Sequence, residues 1–308
     1  MLVLALALFA THPAGAVTTN IFSTQFEPSE GYSIDLDLVG QNGWQGEGSG
    51  GNGILTNFFE DRGQQAYLGY FPPNTNDDQL VVWRPINFTP LAANLPVVEF
   101  SVLMSIVDSS NTNYDNFRWS VYNTAGHRLF TLDFDNYELS IKYLLDGSTN
   151  FVDTGWGFDP DEVYTLLVRM NFASNLWNAA LGGELIVTNK PITTTGAAPT
   201  LGDVDAVWLV FDPDAPGDNY LLFDDYRIAA EVPAPPRPRM NLIERTPAGH
   251  VFLRLEGASG VRFAIDATTN FSTWTPLRTN VISDGFFDYL DTSAAGLARR
   301  YYRARWVP

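Results

Sequence analysis

An acidic loop before residue 220 carries the side chains whose chemistry is easiest to interpret. It contains Asp212, Asp214, Asp218 and Asn219, together with prolines and a glycine that let the chain wrap. Carboxylate and amide oxygens are the ligands that Ca²⁺ takes in proteins, although this spacing is not that of an EF-hand. The loop therefore predicts a calcium site, and the alternative is a turn capped by its aspartates.

Two tryptophans in glycine-rich segments are the next candidates, because an exposed aromatic ring can stack on a sugar. Trp44 and Trp156 each have a glycine directly before them in the chain. Both are predicted to bind ligand from a loop, and the alternative is that each ring closes over the interior of the fold. Tyr67, Tyr70 and Tyr114 are further candidates.

A third set of side chains would suit an enzyme that acts on acidic sugars. Arg118 and Tyr122 lie on the polar side of one predicted strand, and Arg169 and Asn171 lie on the polar side of another. A lyase needs a base beside groups that neutralise a uronate, and a tyrosine with arginines and an asparagine fits that need. If the two strands are neighbours in one sheet, the four residues form one ligand-binding face. The alternative is an ordinary solvated exterior.

The elements that would hold these residues are strands. Apolar and polar residues alternate in many short runs, such as 97–107, and clusters of turn-forming residues separate the runs. The run 220–229 alternates too, with Asp224, Tyr226 and Ile228 predicted on the same side. No segment has a convincing helical period. The pattern predicts an all-β, antiparallel β-sandwich.

The chain divides into four predicted segments. Residues 1–16 have the apolar run and small-residue cleavage site of a signal peptide, and the run is too short to span a bilayer. Residues 17–230 form a large domain, residues 231–239 a proline-rich linker and residues 240–308 a small module. The protein is predicted to be secreted or displayed at the cell surface, with no membrane span.

The charge of the large domain limits its partners. Residues 1–230 hold 8 lysines and arginines against 28 aspartates and glutamates. Such a domain would repel phosphates, so nucleic acid is not expected as a partner, whereas neutral extracellular glycans and divalent cations are compatible. The chain has no cysteine, which excludes disulfides, thiol nucleophiles and thiolate metal sites.

Residues 20–230 resemble a concanavalin A-like, or laminin G-like, jelly roll. The resemblance rests on the segments FSTQFE at 22–27, YTLLVRMN at 164–171 and FDDYRI at 223–228. It implies a jelly-roll sandwich, in a superfamily that includes lectins, carbohydrate-binding modules, glucanases, lyases and adhesive domains. It also implies a structural calcium where the first and last strands meet, with Glu27 and either Asp224 or Asp225 as ligands.

Two further features bear on the enzyme alternative and on the small module. The glucanases that resemble this fold carry Glu-x-Asp-x-x-Glu on one strand, and this chain has no such motif; the pair Asp133 and Asp135 lacks the third acid. Residues 240–306 resemble a C-terminal β-module of secreted bacterial proteins. That resemblance implies a small fibronectin-like or immunoglobulin-like β-sandwich.

The sequence therefore favours a secreted, non-catalytic carbohydrate-binding or adhesive protein, with calcium as the one cofactor predicted. One alternative is a polysaccharide lyase or glycoside hydrolase that acts on extracellular glycan. The other is a structural component of the cell surface or matrix.

Overall fold

The computed structural model describes residues 17–74, 77–232 and 235–307. These residues divide into two compact units, residues 18–232 and the part of the chain that follows. The predicted signal peptide lies outside the described residues. Among the described residues, no helix is long and apolar enough to cross a bilayer.

Two sheets of antiparallel strands make up the first unit. The eight-stranded sheet contains, in spatial order, β13 (Glu184–Pro191), β12 (Leu176–Leu181), β11 (Tyr164–Asn171), β6 (Val97–Val107), β15 (Tyr220–Val232), β4 (Gln64–Leu68) and β3 (Asn52–Thr56), and β1 (Val17–Thr24) also pairs with β15. The seven-stranded sheet contains β10 (Val152–Gly157), β9 (Ser140–Leu145), β8 (Arg128–Asp135), β7 (Asn116–Tyr122), β14 (Asp203–Leu209), β5 (Gln79–Trp83) and β2 (Gln45–Gly48). The only other elements in the described part of this unit are turns, including the 3₁₀ turn Pro28–Glu30.

One apolar core joins the two sheets. Phe130 of the seven-stranded sheet stacks on Trp177 of the eight-stranded sheet, with ring centroids 4.0 Å apart. Phe100 also contacts Trp119 across the sandwich, with tilted rings whose centroids are 5.2 Å apart. The alternating run 97–107 buries the predicted apolar face. The all-β, antiparallel sandwich predicted from the sequence is confirmed.

The last strand of the unit departs from simple alternation at Asp225. The pairing of β15 with β6 shifts register between Asp224 and Arg227, and Asp225 has a φ of 48°, in the left-handed region. This bulge puts one extra residue into β15, so Phe223 and Tyr226 both point into the core. The predicted common side for Asp224 and Tyr226 is therefore wrong, because the extra residue reverses the faces.

The second unit contains two three-stranded antiparallel sheets around a smaller core. Its strands are β16 (Arg239–Arg245), β17 (Val251–Glu256) and β20 (Phe286–Asp291) in one sheet, and β19 (Thr275–Val281), β18 (Arg262–Thr268) and β21 (Tyr301–Trp306) in the other. Leu253, Leu255 and Phe263 lie at its centre, and the 3₁₀ turn Thr292–Ala294 precedes the last strand. The predicted fibronectin-like assignment stays a prediction.

A buried carboxylate ties together the loops at one end of the first unit. Asp115 is 1% exposed and accepts three hydrogen bonds, from Trp208 Nε1 at 3.2 Å and from the backbone N–H groups of Phe211 and Gly217 at 3.1 and 2.9 Å. Asn219 completes the link, because its side chain both accepts from the Asp115 N–H and donates to the Asp115 carbonyl. The loop 211–219 is thus held against the start of β7.

A pair of acidic residues lies on the outer face of the seven-stranded sheet. Asp203 and Asp205 lie two residues apart on β14, and Asp203 is half-buried. Asp205 is 6% exposed, and its Oδ1 has no hydrogen-bond partner in the described part of the chain. Burial, together with the charge of Asp203, raises the pKa of Asp205. The pair therefore retains a proton when ordinary carboxyls have lost theirs.

Replacing Asp115 by alanine is expected to lower the free energy of unfolding by about 3 kcal/mol, because three buried donors lose their acceptor. Urea unfolding of Asp115→Ala and of Asp159→Ala, an exposed aspartate, provides the comparison. The Asp159 variant should stay within about 0.5 kcal/mol of the parent. Equal stabilities of the two variants would contradict the role assigned to Asp115.

The Asp203–Asp205 pair predicts a pH dependence of stability. An unfolded aspartate loses its proton near pH 4, about its reference pKa, whereas the folded pair holds one to higher pH. Folding therefore takes up a proton, and the free energy of unfolding should fall as the pH rises above about 4. Asp205→Asn removes this contribution. The free energy of unfolding of the variant, relative to that of the parent, should therefore rise by about 1–3 kcal/mol between about pH 5 and pH 8. Urea titrations of both proteins at these two pH values test this, with Asp159→Asn as the control; parallel curves would reject it.

Candidate functional site

The outer face of the seven-stranded sheet carries a row of charged side chains. Arg118 of β7 lies opposite Asp133 of β8, which lies opposite Lys142 of β9. Arg118 Nε is 2.5 Å from Asp133 Oδ1. Lys142 Nζ instead donates to Asp135 Oδ2 at 2.8 Å and to Glu138 Oε2 at 2.6 Å. The positive charges in this row are therefore engaged by the chain's own carboxylates.

The protonation states in this row follow from burial and from these contacts. Burial raises the pKa of Asp133, although the Arg118 guanidinium opposes the shift. Burial also acts on Asp135, but the hydrogen bond from Lys142 and the backbone N–H groups of Glu138 and Tyr137 prevail and lower its pKa. Asp135 is thus ionised at neutral pH.

A pocket of about 440 Å³ opens at the end of this face, where β7 begins and β8 and β14 end. Its rim carries aromatic rings. Tyr137 is 80% exposed and Phe211 is 60% exposed, and Tyr114 packs edge-to-face against Tyr137 with centroids 6.3 Å apart. Carboxylates line the pocket as well, those of Asp135, Glu138, Asp212 and the buried Asp115. The pocket thus combines exposed ring surfaces with hydrogen-bond acceptors in a fixed frame.

Most of the pocket residues were missed from the sequence. Of the predicted site residues, only Asp212 lines the pocket, together with the further candidate Tyr114. Tyr137 and Glu138 lie in the short turn between β8 and β9, where a single polar or aromatic residue carries no strong signal. The one signal available was a tyrosine at the tip of a turn that acidic residues flank. A turn does not require a large aromatic ring at its tip, so a tyrosine there suggests another role.

The structure buries Trp44, which corrects the prediction that this ring is exposed. Trp44 is 2% exposed, its Nε1 donates to the Tyr32 hydroxyl at 2.9 Å, and its ring contacts Phe26 and Tyr226. The positive φ of Gly43 turns the chain so that the ring enters the core rather than solvent. The ring closes the sandwich, as in the alternative considered for it.

Trp156 is 43% exposed, as predicted, and lies on the edge strand β10. Its neighbour Gly157 pairs with Ser140, and Ser140 pairs with Asp135, a residue that lines the pocket. The tryptophan therefore lies at the same end of the seven-stranded sheet as the pocket, two strands from β8. Whether it binds a ligand stays a prediction.

The four residues predicted to form one face are divided between the two sheets. Arg118 and Tyr122 lie on β7 in the seven-stranded sheet, whereas Arg169 and Asn171 lie on β11 in the eight-stranded sheet. Their strands are not neighbours, so the single polar face expected for a lyase is wrong. Desolvation by burial raises the pKa of Tyr122.

The second pair has local partners of its own. Arg169 forms an ion pair with Glu231 and lies 3.6 Å from Glu99, on the outer face of the eight-stranded sheet. The Asn171 side chain accepts hydrogen bonds from the backbone N–H groups of Ala173 and Ser174, which caps the turn after β11.

The acidic loop does not gather its four predicted calcium ligands into one cage. Asp218 points to the neighbouring loop, where Ser109 and Ser110 donate to its carboxylate. Burial opposes the effect, but these hydrogen bonds lower the pKa of Asp218 to about 2. Asn219 is buried against Asp115, and Asp212 accepts from the backbone of Asp214, as in the turn considered as the alternative.

The second predicted calcium pair is also engaged by other groups. Glu27 accepts a hydrogen bond from the backbone of Gln64, and Asp225 accepts from Gln25 and forms an ion pair with Arg62 at 2.5 Å. No group of three or more histidine, aspartate or glutamate side chains in the described ranges could hold a metal ion. The residues present therefore do not fit a preformed calcium site, and calcium binding stays a prediction.

A second aromatic surface lies on the outer face of the eight-stranded sheet. Tyr70 contacts Tyr67, Phe71 and Tyr220 edge-to-face, with centroids 4.9 to 5.4 Å apart. We call this the Tyr70 cluster. It contains two of the further tyrosine candidates, but Tyr67 is only 8% exposed. None of the residues of the Tyr70 cluster is in the lining of the pocket.

Comparisons with known proteins give no family. A scan against protein-family models finds no match, and neither does a search among curated proteins. Similar solved structures include a basic winged bean lectin with Tn-antigen, at 11% identity and a TM-score of 0.46 over 71% of this chain and 100% of that one. The lectin UEA-II complexed with galactose has 10% identity and a TM-score of 0.47 over 70% of this chain and 98% of its own. A sialidase has 10% identity and a TM-score of 0.48 over 68% of this chain, but the match spans only 18% of the sialidase.

Proposed function

We propose that the first unit is a non-catalytic carbohydrate-binding or adhesive domain that uses the pocket beside Tyr137 as its site. The observation that carries this proposal is the rim of the pocket, where the Tyr137 and Phe211 rings are 80% and 60% exposed above a set of oxygen acceptors. Large rings normally lose most of their surface on folding, so two such rings beside one cavity need an explanation.

A sugar matches both parts of this lining. The C–H groups on one face of a pyranose ring pack on an aromatic ring, and its hydroxyls donate to carboxylates and carbonyls. Glu138 and Asp212, which both line the cavity, offer such acceptors. The loops are held in place by Asp115 before a ligand arrives, so binding costs less conformational entropy than it would with free loops.

Secretion and membership of the concanavalin A-like superfamily belong to the same proposal. The apolar N-terminal run with its small-residue cleavage site supports export. The two antiparallel sheets of the first unit, with β15 inside the eight-stranded sheet, support a jelly-roll arrangement. The enzymatic alternative has no comparable support, because the residues of the lyase constellation lie on different sheets.

Tyr137→Ala and Phe211→Ala are each expected to weaken binding of the best neutral oligosaccharide from a glycan array by about tenfold, the effect of removing one anchoring ring. Isothermal titration calorimetry on the purified protein measures this. Phe71→Ala, which removes an exposed ring of the Tyr70 cluster, is the matched control and should bind as the parent does. An array without signal, or equal losses in all three variants, would refute the pocket as a sugar site.

Calcium is tested separately, by thermal unfolding in EDTA and in millimolar Ca²⁺. If the exposed carboxylates of Asp212 and Asp214 hold an ion, calcium should raise the melting midpoint by several degrees. Asp214→Asn should then abolish the shift, whereas Asp159→Asn should retain it. Identical melting curves of the parent with and without calcium would refute the calcium site predicted from the acidic loop.

A further inference from the structure

We propose that the sugar bound in this pocket carries a protonated amino group, so that the ligand class is a glycan with free amines rather than a neutral or uronate-bearing one. The inference rests on the proposed function, because it concerns the same pocket. It follows from three features of the described residues. The cations nearest the pocket are paired with carboxylates, one carboxylate of the lining has no ion-pair partner, and aromatic rings are exposed at the rim.

The cations near the pocket are already engaged. Arg118 is paired with Asp133, and Lys142 is held between Asp135 and Glu138. Arg128 lies at the opposite end of β8 from the pocket, where Nη2 is 3.5 Å from the Leu145 carbonyl oxygen. Among the described residues, the two cations of this face that lie nearest the pocket are thus paired with carboxylates of the chain, which disfavours uronates and sialic acids.

One carboxylate of the lining, by contrast, is not neutralised by a cation of the described residues. Asp212 lines the pocket, is exposed, and forms no ion pair within the described ranges. Its carboxylate accepts only a local hydrogen bond, from the backbone of Asp214 at 3.1 Å. Because one of its oxygens can still accept, it can form a charge-assisted hydrogen bond to an ammonium group, which is stronger than a bond to a hydroxyl.

The chain itself shows that the lining accepts an ammonium group. Lys142 Nζ lies 2.8 Å from Asp135 and 2.6 Å from Glu138, both of which line the pocket. Hydrogen bonds to these two acids raise the pKa of Lys142. An ammonium group donates three hydrogen bonds and accepts none, which suits a wall made of carboxylates.

The aromatic rim favours the same ligand. A cation within about 6 Å of a ring face is attracted by the negative charge of that face, and tyrosine is among the better partners. Tyr137 and Phe211 stand exposed beside Asp212, so an amino sugar stacked on either ring would meet both a ring face and a carboxylate. A neutral sugar would use the ring but gain less from the carboxylate.

The test compares two ligands that differ only at nitrogen, namely oligomers of β-1,4-linked glucosamine and of N-acetylglucosamine of the same length. Titration calorimetry at mildly acidic pH, where the free amine is charged, gives both dissociation constants. We expect the free amine form to bind at least about tenfold more tightly, and the difference to shrink as salt screens the charges.

Two variants locate the effect. Asp212→Asn keeps the oxygen that caps the turn but removes the charge, so it should weaken binding of the free amine form much more than binding of the acetylated form and reduce the preference to about threefold or less. Glu184→Gln removes one charge from an exposed position on β13 and should retain the full preference. Melting curves of both variants establish that each is folded, and Glu138→Gln provides a second pocket variant, expected to reduce the preference as well.

The outcomes separate the two proposals. Binding of the acetylated oligomer as tight as that of the free amine, in the parent protein, would overturn the inference and leave the pocket as a site for neutral sugar. A preference that survives in folded Asp212→Asn and Glu138→Gln would overturn the assignment to this lining. Absence of binding to either oligomer and to every sugar on the array would overturn the proposed function itself.

Discussion

The carboxyl group of Asp115, buried at one end of the sandwich, is the constraint on which the pocket depends. Removing a carboxyl group from water has a large free-energy cost unless hydrogen-bond donors surround it, and here the donors are an indole and two backbone amides. Those donors belong to the end of β14 and to the loop that follows it. The hydrogen bonds that they donate to Asp115 therefore fix the path of that loop. Phe211 and Asp212, which line the pocket, are positioned as a result.

The strands and the core could be predicted because their signal is local. Alternation along 97–107 requires only that one face be buried, and the structure buries it. A different local signal, the acidic loop, predicted Asp212 as a calcium ligand, and the structure places this residue in the lining of the pocket. The sequence could not determine whether Trp44 points into the core or into solvent, because glycines predict a turn but not the direction of the ring beside it. The Tyr32 hydroxyl, which accepts the hydrogen bond from the Trp44 N–H, is not adjacent in sequence.

The rest depends on pairings between distant segments, which no periodicity reveals. Asp115 and Gly217 are 102 positions apart, and only the fold brings them together. Arg118 and Arg169 have similar surroundings in sequence, yet they belong to different sheets. The bulge at Asp225 is the clearest case. One extra residue in the left-handed region moves the following side chains of the strand to the opposite face of the sheet, and an aspartate at that position does not predict a bulge.

The hydrogen bonds between the loop 211–219 and Asp115 also limit which changes of sequence the fold can accept. A change in the length of that loop would pull the donors of Phe211 and Gly217 away from the carboxylate, so insertions there would be selected against. The tip of the turn at Tyr137 has no such attachment through its ring, which is mostly in solvent. A substitution at that tip would therefore change the surface beside the pocket while the scaffold behind it stays the same.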